Sequence, residues 1–143
     1  MAAMKLAVID SSAWLEYFAG GPNAEAFAAP IEDLPHRLVP TLTLFEVFKR
    51  LSAQVGEGPA MSAIAAMRAG RVLDLDADTA LEAARLAAQS GLAMADAVML
   101  ATARMNGAEL WTQDADFAGQ ANVRWLRKQA SEGLTQQAKP VVP

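Results

Sequence analysis

Residues 94–114, MADAVMLATARMNGAELWTQD, contain the unit that decides the fold. The apolar first part has the length of a helix and ends at Asn106 and Gly107, residue types that commonly end helices. AELWT, residues 108–112, predicts a strand, and Asp114 follows this strand by two residues. A helix that leads directly into a strand indicates an α/β chain.

The same alternation extends over most of the chain. Further strands are predicted at 5–9, 37–39, 71–75 and 123–126. Helices are predicted at 11–18, 23–29, 41–55, 60–70, 79–91 and 93–107. Strands that alternate with helices of about a dozen residues predict a three-layer α/β/α fold around a central, mostly parallel sheet of four or five strands.

Capping and breaking residues predict where the helices begin and end. Candidate amino-terminal caps stand at three helix starts: Ser11 or Ser12, Thr41 or Thr43, and Asp76 or Asp78. Pro30 and Pro35 are expected to bound a loop, and the sequence GEGP at 56–59 is expected to stop the helix before it.

The composition excludes several classes of function. The chain has 143 residues, enough for one domain with its own core, and 53% of them are apolar, which suggests a face covered by a partner or a second copy. It has no Cys and one His, which argues against disulfide scaffolds, zinc sites and Ser-His-Asp triads. The net charge of −4 is not that of a protein that grips nucleic acid by charge alone.

Neither end of the chain predicts a membrane segment. MAAMKLAVID lacks the shape of a signal peptide, and no run approaches the roughly 18 apolar residues of a span. We therefore expect a soluble cytoplasmic protein with no membrane partner. Residues 1–128 are expected to form the folded domain, and residues 129–143 a polar, Pro-containing tail that is mobile or binds a partner.

Two acids follow predicted strands. Asp10 comes directly after KLAVI, and Asp114 comes after AELWT. In open parallel sheets ligands gather at the carboxyl ends of the strands, so both carboxylates are expected at one rim. Two further candidates lie on helices: Asp96, in a first turn beside an apolar stripe, and Glu46, within TLTLFEVFKRL at 41–51.

Each acid also has an ordinary structural explanation. Asp10 is explained about equally well as the cap of the helix after it. Asp96, taken alone, is better explained as a first-turn acid favoured by the helix dipole. Glu46, taken alone, is better explained by pairing with Lys49 or Arg50 on a solvated face.

Asp114 and Asp116 are likewise explained as a turn residue and a helix cap.

The set of acids is more informative than its members. Carboxylates at one rim repel each other by roughly 4 kcal/mol per pair at about 4 Å and an effective dielectric near ~20, which a fold tolerates when cations are present. Oxygen ligands without Cys or His favour Mg²⁺ or Mn²⁺, and such metals activate water and clamp phosphodiesters. The set therefore indicates hydrolysis of phosphate esters.

Four segments resemble the PIN-domain nucleases, and among them the VapC-type toxins of prokaryotic toxin–antitoxin pairs. These segments are VIDSSAWLEYF at 8–18, TLTLFEVFKRL at 41–51, MADAVMLATARMNGAELWTQD at 94–114, and TQDADF at 112–117. The resemblance covers nearly the whole chain, and it lies in the order and spacing of the segments more than in any one of them. It implies that residues 1–128 form a PIN-like nuclease domain.

The resemblance also implies the roles of individual residues. The family's acids fall on Asp10, Glu46, Asp96 and Asp114, with metal ligation by Asp10, Asp96 and Asp114. Supporting roles fall on Ser11, Thr112 and Asp116. The implied activity is endoribonuclease cleavage of structured RNA, such as tRNA or ribosomal RNA, with Mg²⁺ or Mn²⁺ and no covalent enzyme intermediate. The implied partners are a small antitoxin and a second copy of the chain, with DNA bound only indirectly through the antitoxin.

The basic residues are scattered along the chain. Candidates for RNA contacts are Lys49, Arg50, Arg124 and Arg127. The same scattered set includes Arg37, Arg68, Arg104 and Lys128. The run from 124 to 128 is the best candidate for a phosphate-contacting rim. A solvated charge run explains it at least as well.

Two other functions compete with a ribonuclease toxin. One is a catalytically idle PIN-like module that acts through antitoxin and DNA binding, against which the intact set of acids counts. The other is an α/β phosphohydrolase with Asp10 as the nucleophile. Such sites usually have a second Asp two residues further on, where this chain has Ser12.

Overall fold

A computed structural model of the chain describes residues 5–130, so most of the predicted tail lies outside the described residues. The strands are β1 (Ala7–Ile9), β2 (Arg37–Pro40), β3 (Arg71–Leu73), β4 (Glu109–Thr112) and β5 (Val123–Trp125). The helices are α1 (Ser11–Ala19), α2 (Ala24–Ile31), α3 (Thr41–Val55), α4 (Glu57–Arg68), α5 (Ala77–Ser90) and α6 (Met94–Met105). Short 3₁₀ turns form at Leu34–His36 and Ala115–Phe117.

The five strands form one sheet in the order β3-β2-β1-β4-β5, and every pair is parallel. This confirms the predicted α/β fold with a parallel sheet. The chain builds outward from β1 through β2 to β3, and then crosses over to add β4 and β5 on the other side of β1. The direction of building therefore reverses between β1 and β4, which is where ligands bind in sheets of this kind.

Two apolar cores cover the two faces of the sheet. Ile9 faces the layer of α1 to α4, where Trp14 and Phe27 are fully buried, and Val8 faces the layer of α5 and α6, where Leu100 is fully buried. Neighbouring residues of β1 thus supply opposite cores, as the two-residue period of a strand requires. The architecture is the expected three-layer sandwich.

Several predicted helix boundaries were wrong in detail. Asp10, not Ser11 or Ser12, caps α1, since its side chain accepts a hydrogen bond from the Ser12 N–H. Neither Thr41 nor Thr43 caps α3; Thr43 is fully buried and its hydroxyl contacts the sulfur of Met99. The predicted cap at Asp76 is confirmed, with its carboxylate accepting from the Thr79 N–H.

Two further helix boundaries, the end of α2 and the start of α4, differ from those predicted from proline and glycine. Pro30 lies inside α2, near its end, where its ring is buried and its missing N–H forfeits at most one hydrogen bond. α4 begins at Glu57, earlier than predicted, because Gly56 alone separates it from α3. Gly56 has φ +99°, a conformation that other residues rarely adopt.

Arg37 serves the fold rather than a surface. It is buried, and its guanidinium donates to the carbonyls of Ile31 at 2.6 Å, Ala66 at 2.7 Å and Met67 at 3.2 Å while lying over the ring of Trp14. These carbonyls belong to the last turns of α2 and α4, which carry partial negative charge. Its place among possible RNA-contacting residues was therefore wrong, because every one of these contacts is internal.

In the described part of the chain, no single helix has the length and apolarity of a membrane span. The consecutive helices α5 and α6 meet that test only when taken together, and they are bent by 115° at the break between them.

Candidate functional site

A cleft of about 630 Å³ opens at the carboxyl ends of β1 and β4. Its walls come from α1, α3, the first turn of α6 and the loop after β4. The acids that line it are Asp10, Glu16, Glu46, Asp96 and Asp114, and the bases are Arg50 and Lys128. The four acids predicted to be catalytic thus share one cleft, although they are separated widely in the sequence.

Asp10 stands where β1 ends and α1 begins. Its backbone N–H donates to the carbonyl of Trp111 in β4, which fixes it at the boundary between the two strands. Its Oδ2 accepts hydrogen bonds from the hydroxyls of Ser12 at 2.8 Å and Thr112 at 2.9 Å. Burial raises the pKa of Asp10, and these hydrogen bonds oppose the rise. Capping and a place in the cleft are therefore compatible roles.

Glu46 projects from the first half of α3 into the cleft. Ser11 Oγ donates to its Oε1 at 2.9 Å and so joins the start of α1 to α3. Burial raises the pKa of Glu46, and the neighbouring carboxylate of Asp10 raises it further. Within the part of the chain that the structure describes, no ion pair joins Glu46 to Lys49 or Arg50. Glu46 thus lacks the direct ion pair that the solvated-face explanation required, although the charge of Lys49 lowers its pKa.

Asp96, Asp114 and Asp116 form the tightest group of acids. One carboxylate oxygen from each lies within 4.8 Å of the others, a spacing at which the three could hold one metal ion. Burial, and then the charges of Asp10, Asp114, Asp116 and Glu46, raise the pKa of Asp96 to about 6. The electrostatic strain expected from the sequence is present at Asp96.

The short turn after β4 arranges two of these acids. Asp114 caps the 3₁₀ turn Ala115–Phe117, accepting a hydrogen bond from the Asp116 N–H at 2.9 Å. The cap is therefore Asp114 and not Asp116, the reverse of the structural alternative that the sequence offered for this pair. Since Asp116 is free of the capping role, its carboxylate is available to the cluster.

Hydroxyl groups connect the two strand ends. Thr112 Oγ1 donates to Asp10 and accepts from the Asp114 N–H at 3.0 Å. Ser12 Oγ donates to Asp10 and accepts from the Gln113 N–H at 3.2 Å. Neither Ser12 nor Gln113 was predicted from the sequence to belong to the site. The signal available for Ser12 was its place two residues after a capping Asp, where a hydroxyl can reach that carboxylate.

The candidate RNA-contacting residues do not all reach the cleft. Arg50 lines it, whereas Lys49 lies over the ring of Phe45. Arg124 lies over the ring of Trp111 and 3.7 Å from Glu109, and Arg127 lies over the ring of Trp125.

The donors of the cleft suit a hard divalent cation. Asp96, Asp114 and Asp116 offer only oxygen atoms, and Asp10 offers Oδ1, since its hydrogen bonds fall on Oδ2. Burial and the neighbouring carboxylates raise the pKa of Asp96 to about 6, so a positive charge in the cleft stabilises its ionised form. Oxygen ligands of this kind favour Mg²⁺ or Mn²⁺.

An open parallel sheet with carboxylates gathered at its switch point defines a class of α/β protein with an acidic, metal-compatible cleft. The chain belongs to the PIN-domain family, whose model matches residues 7–123. Comparison with curated protein sequences gives no significant match.

Several solved structures share the fold. A toxin–antitoxin complex from Klebsiella pneumoniae matches with a TM-score of 0.72 and 24% identity over 86% of this chain and 99% of that one. VapC20 of Mycobacterium tuberculosis, described as a toxin that cleaves the sarcin–ricin loop, matches with a TM-score of 0.67 and 23% identity over 80% and 95%. A DNA-bound VapBC complex from Salmonella typhimurium matches with a TM-score of 0.66 and 14% identity over 86% and 98%.

Proposed function

We propose that the protein is an endoribonuclease that requires Mg²⁺ or Mn²⁺ and acts as the toxin of a type II toxin–antitoxin pair. Its substrate is structured RNA such as tRNA or ribosomal RNA, in which it hydrolyses phosphodiester bonds. The observation that carries this proposal is the convergence of Asp96, Asp114 and Asp116 within 4.8 Å, beside Asp10 and Glu46 in one cleft. Membership of the PIN-domain family and the toxins among the similar structures support it.

The residues that would hold the cation are Asp96, Asp114 and Asp116, with Asp10 facing them. A divalent cation bound there supplies a Lewis acid that lowers the pKa of water and neutralises charge on a phosphate. Asp96 has to give up its proton for this set to bind a cation, because its pKa is raised to about 6.

The other residues of the cleft orient the acids. Ser12 and Thr112 both donate to Oδ2 of Asp10, so Oδ1 is the oxygen that could contact a cation. Glu46 is held by Ser11, and its raised pKa makes its carboxylate a stronger proton acceptor than an ordinary glutamate. We propose that Ser11 and Thr112 support the site through their hydrogen bonds to Glu46 and Asp10, and that Arg50 contacts an RNA phosphate.

The partners follow from the same proposal. The similar structures include toxin–antitoxin and VapBC complexes, and some of these are bound to DNA. We infer that a cognate antitoxin covers this protein, that the toxin forms a homodimer, and that it meets DNA only through the antitoxin. Exposed apolar side chains such as Phe45 and Met94 are consistent with covered surfaces. A cytoplasmic location remains a prediction.

The decisive test is Asp96→Asn, which keeps the shape of the side chain and removes its charge. We expect the variant to fold, to lose Mn²⁺-dependent RNA cleavage by at least about 100-fold, and to relieve growth arrest in cells. Asp78→Asn is the matched control, because Asp78 is a first-turn acid of α5 outside the cleft. Full activity of Asp96→Asn would sink the proposal, and an intact wild type with no metal binding would favour the idle module.

A further inference from the structure

The segment that follows β5, residues 126–130, has no regular secondary structure. It nevertheless brings Lys128 to the wall of the cleft, where Arg50 is the other base. A segment of this kind stays in place only if other groups satisfy its backbone and side chains.

Asn23 supplies two of these contacts, one on each side of Lys128. Its side-chain Nδ2 donates to the carbonyl of Arg127 at 3.0 Å, and its Oδ1 accepts from Nε2 of Gln129 at 3.0 Å. A single amide therefore holds the residues before and after Lys128. The backbone N–H of Leu126 donates to the carbonyl of Thr112 at 2.9 Å and begins the same attachment.

Asn23 is itself held in place by Glu16 of α1 and by Gln113, which follows β4. It is only 4% exposed, its backbone N–H donates to Glu16 Oε2 at 2.7 Å, and its Nδ2 also donates to Gln113 Oε1 at 3.0 Å. Gln113 is 7% exposed and donates to the other oxygen of Glu16. Buried amides whose hydrogen bonds are satisfied on both sides are rigid.

This network continues to the acids of the cleft. The backbone N–H of Gln113 donates to Ser12 Oγ, which donates to Asp10 Oδ2. The position of Lys128 is thus tied through Asn23 and Gln113 to the position of Asp10.

We propose that Lys128 contacts an RNA phosphate at the edge of the cleft, and that Asn23 and Gln113 are positioning residues that hold it there. The proposal rests on the proposed ribonuclease function and names a contact within that site. Arg50 comes from the helix after β2, and Lys128 from the segment after β5. Since β2 and β5 lie on opposite sides of the β1–β4 pair, the two bases flank the carboxylates.

The charge of the cleft explains why this contact matters. Five acids and two bases line the cleft in a chain of net charge −4, so an RNA strand that enters it meets few favourable charges. A lysine whose neighbouring residues are held in place loses less freedom on binding than one on an unattached segment, and its phosphate contact is correspondingly more effective.

The first experiment compares Lys128→Met with Lys5→Met. Lys5 is exposed and precedes β1, so it lies at the amino ends of the strands, whereas the cleft lies at their carboxyl ends. For Lys128→Met we expect KM for RNA to rise about five- to tenfold and kcat to change less than about twofold. The reason is that the phosphate contact is equally strong in the bound substrate and in the transition state. RNA affinity is measured with Ca²⁺ in place of Mg²⁺, so that binding is observed without cleavage. In Lys128→Met the plot of log affinity against log salt concentration should become less steep by about 0.7, the loss of one phosphate contact. Lys5→Met should match the wild type in both.

The second experiment tests the positioning role. Asn23→Ala should raise KM in the wild-type background but add little in the Lys128→Met background, and it should speed tryptic cleavage after Lys128. Gln129→Ala removes only one hydrogen bond to Asn23, and it replaces the Asn23→Ala variant if that variant does not fold. It should produce a smaller effect in the same direction. A purely structural role would lower the melting temperature and give equal effects in both backgrounds.

The outcomes separate this inference from the proposed function. If Lys128→Met cleaves RNA with the KM and the salt dependence of the wild type, the inference about Lys128 is overturned and the proposed function is not. RNA binding that depends on Lys128 in a wild type that cannot cleave would overturn the ribonuclease function and keep the contact. A wild type that neither binds nor cleaves RNA would overturn both.

Discussion

Thr112 Oγ1 donates a 2.9 Å hydrogen bond to Asp10 Oδ2, and so joins the end of β4 to the end of β1. The same oxygen accepts from the backbone N–H of Asp114. One fully buried hydroxyl therefore sets the distance between the two acids that follow the central strands. The two acids are brought together by the sheet and held in register by this side chain.

Thr112→Val should damage both stability and activity, because it keeps the shape of the side chain and leaves the Asp114 N–H without its acceptor. We expect the free energy of unfolding to fall by about 1–3 kcal/mol. Metal affinity or activity should fall about 10-fold to 100-fold, as for other lost partners of metal-site ligands. Urea denaturation and Mn²⁺ titration measure the two effects.

Thr102→Val is the matched control. Thr102 is also buried, but its hydroxyl donates to Val98 O in its own helix, four residues back. We expect a smaller loss of stability and no change in metal affinity. Equal loss of metal affinity in both variants would show that the Thr112 bridge has no special part in the site.

The sequence predicted the fold better than the site because the two depend on different information. Strand-then-helix alternation is local, so β1, β4 and the parallel sheet followed from it. Which of two neighbouring acids caps a turn depends on one backbone geometry, so the sequence offered Asp116 as the cap where the structure has Asp114. Contacts such as Asn23 with Gln113 join residues 90 apart, and no local pattern marks them.

Metal-free protein should lose stability as pH rises, and Asp96 is the clearest cause. Its pKa is raised from 3.8 to about 6, so the folded state holds a proton that the unfolded state has lost. The stabilisation is complete below about pH 4 and is lost as pH rises through about 6. The raised pKa values of Asp10 and Glu46 act in the same direction.

Asp96→Asn should therefore stabilise the protein in EDTA at pH 7. Asp96 is partly exposed, so the gain is about 1 kcal/mol after allowance for solvent screening. Thermal melts in EDTA at pH 4.5 and pH 7 measure it, and the gain should be smaller at the lower pH. Adding Mg²⁺ should raise the melting temperature of the wild type more than that of Asp96→Asn. A variant that is less stable than the wild type in EDTA at pH 7 contradicts this account.

Arg37→Met should destabilise the fold without altering the cleft. It leaves carbonyls at the ends of α2 and α4 without their donor, and we expect a loss of about 2–4 kcal/mol in unfolding free energy. Arg37→Lys should rescue little, because an ammonium lacks the planar fork that spans both helix ends. Arg68→Met, on the exposed last turn of α4, is the control and should stay within about 0.5 kcal/mol of the wild type in urea.

Asp116→Asn decides whether the cation is held by the group that the geometry favours. The family resemblance implied only a supporting role for Asp116, whereas its carboxylate lies with those of Asp96 and Asp114 within 4.8 Å. If Asp116 is a ligand, Mn²⁺ affinity measured by calorimetry should fall at least about tenfold. Asp74→Asn, an exposed acid after the edge strand β3, should leave that affinity unchanged. Unchanged affinity in Asp116→Asn, with a large loss in Asp10→Asn, would return the site to Asp10, Asp96 and Asp114.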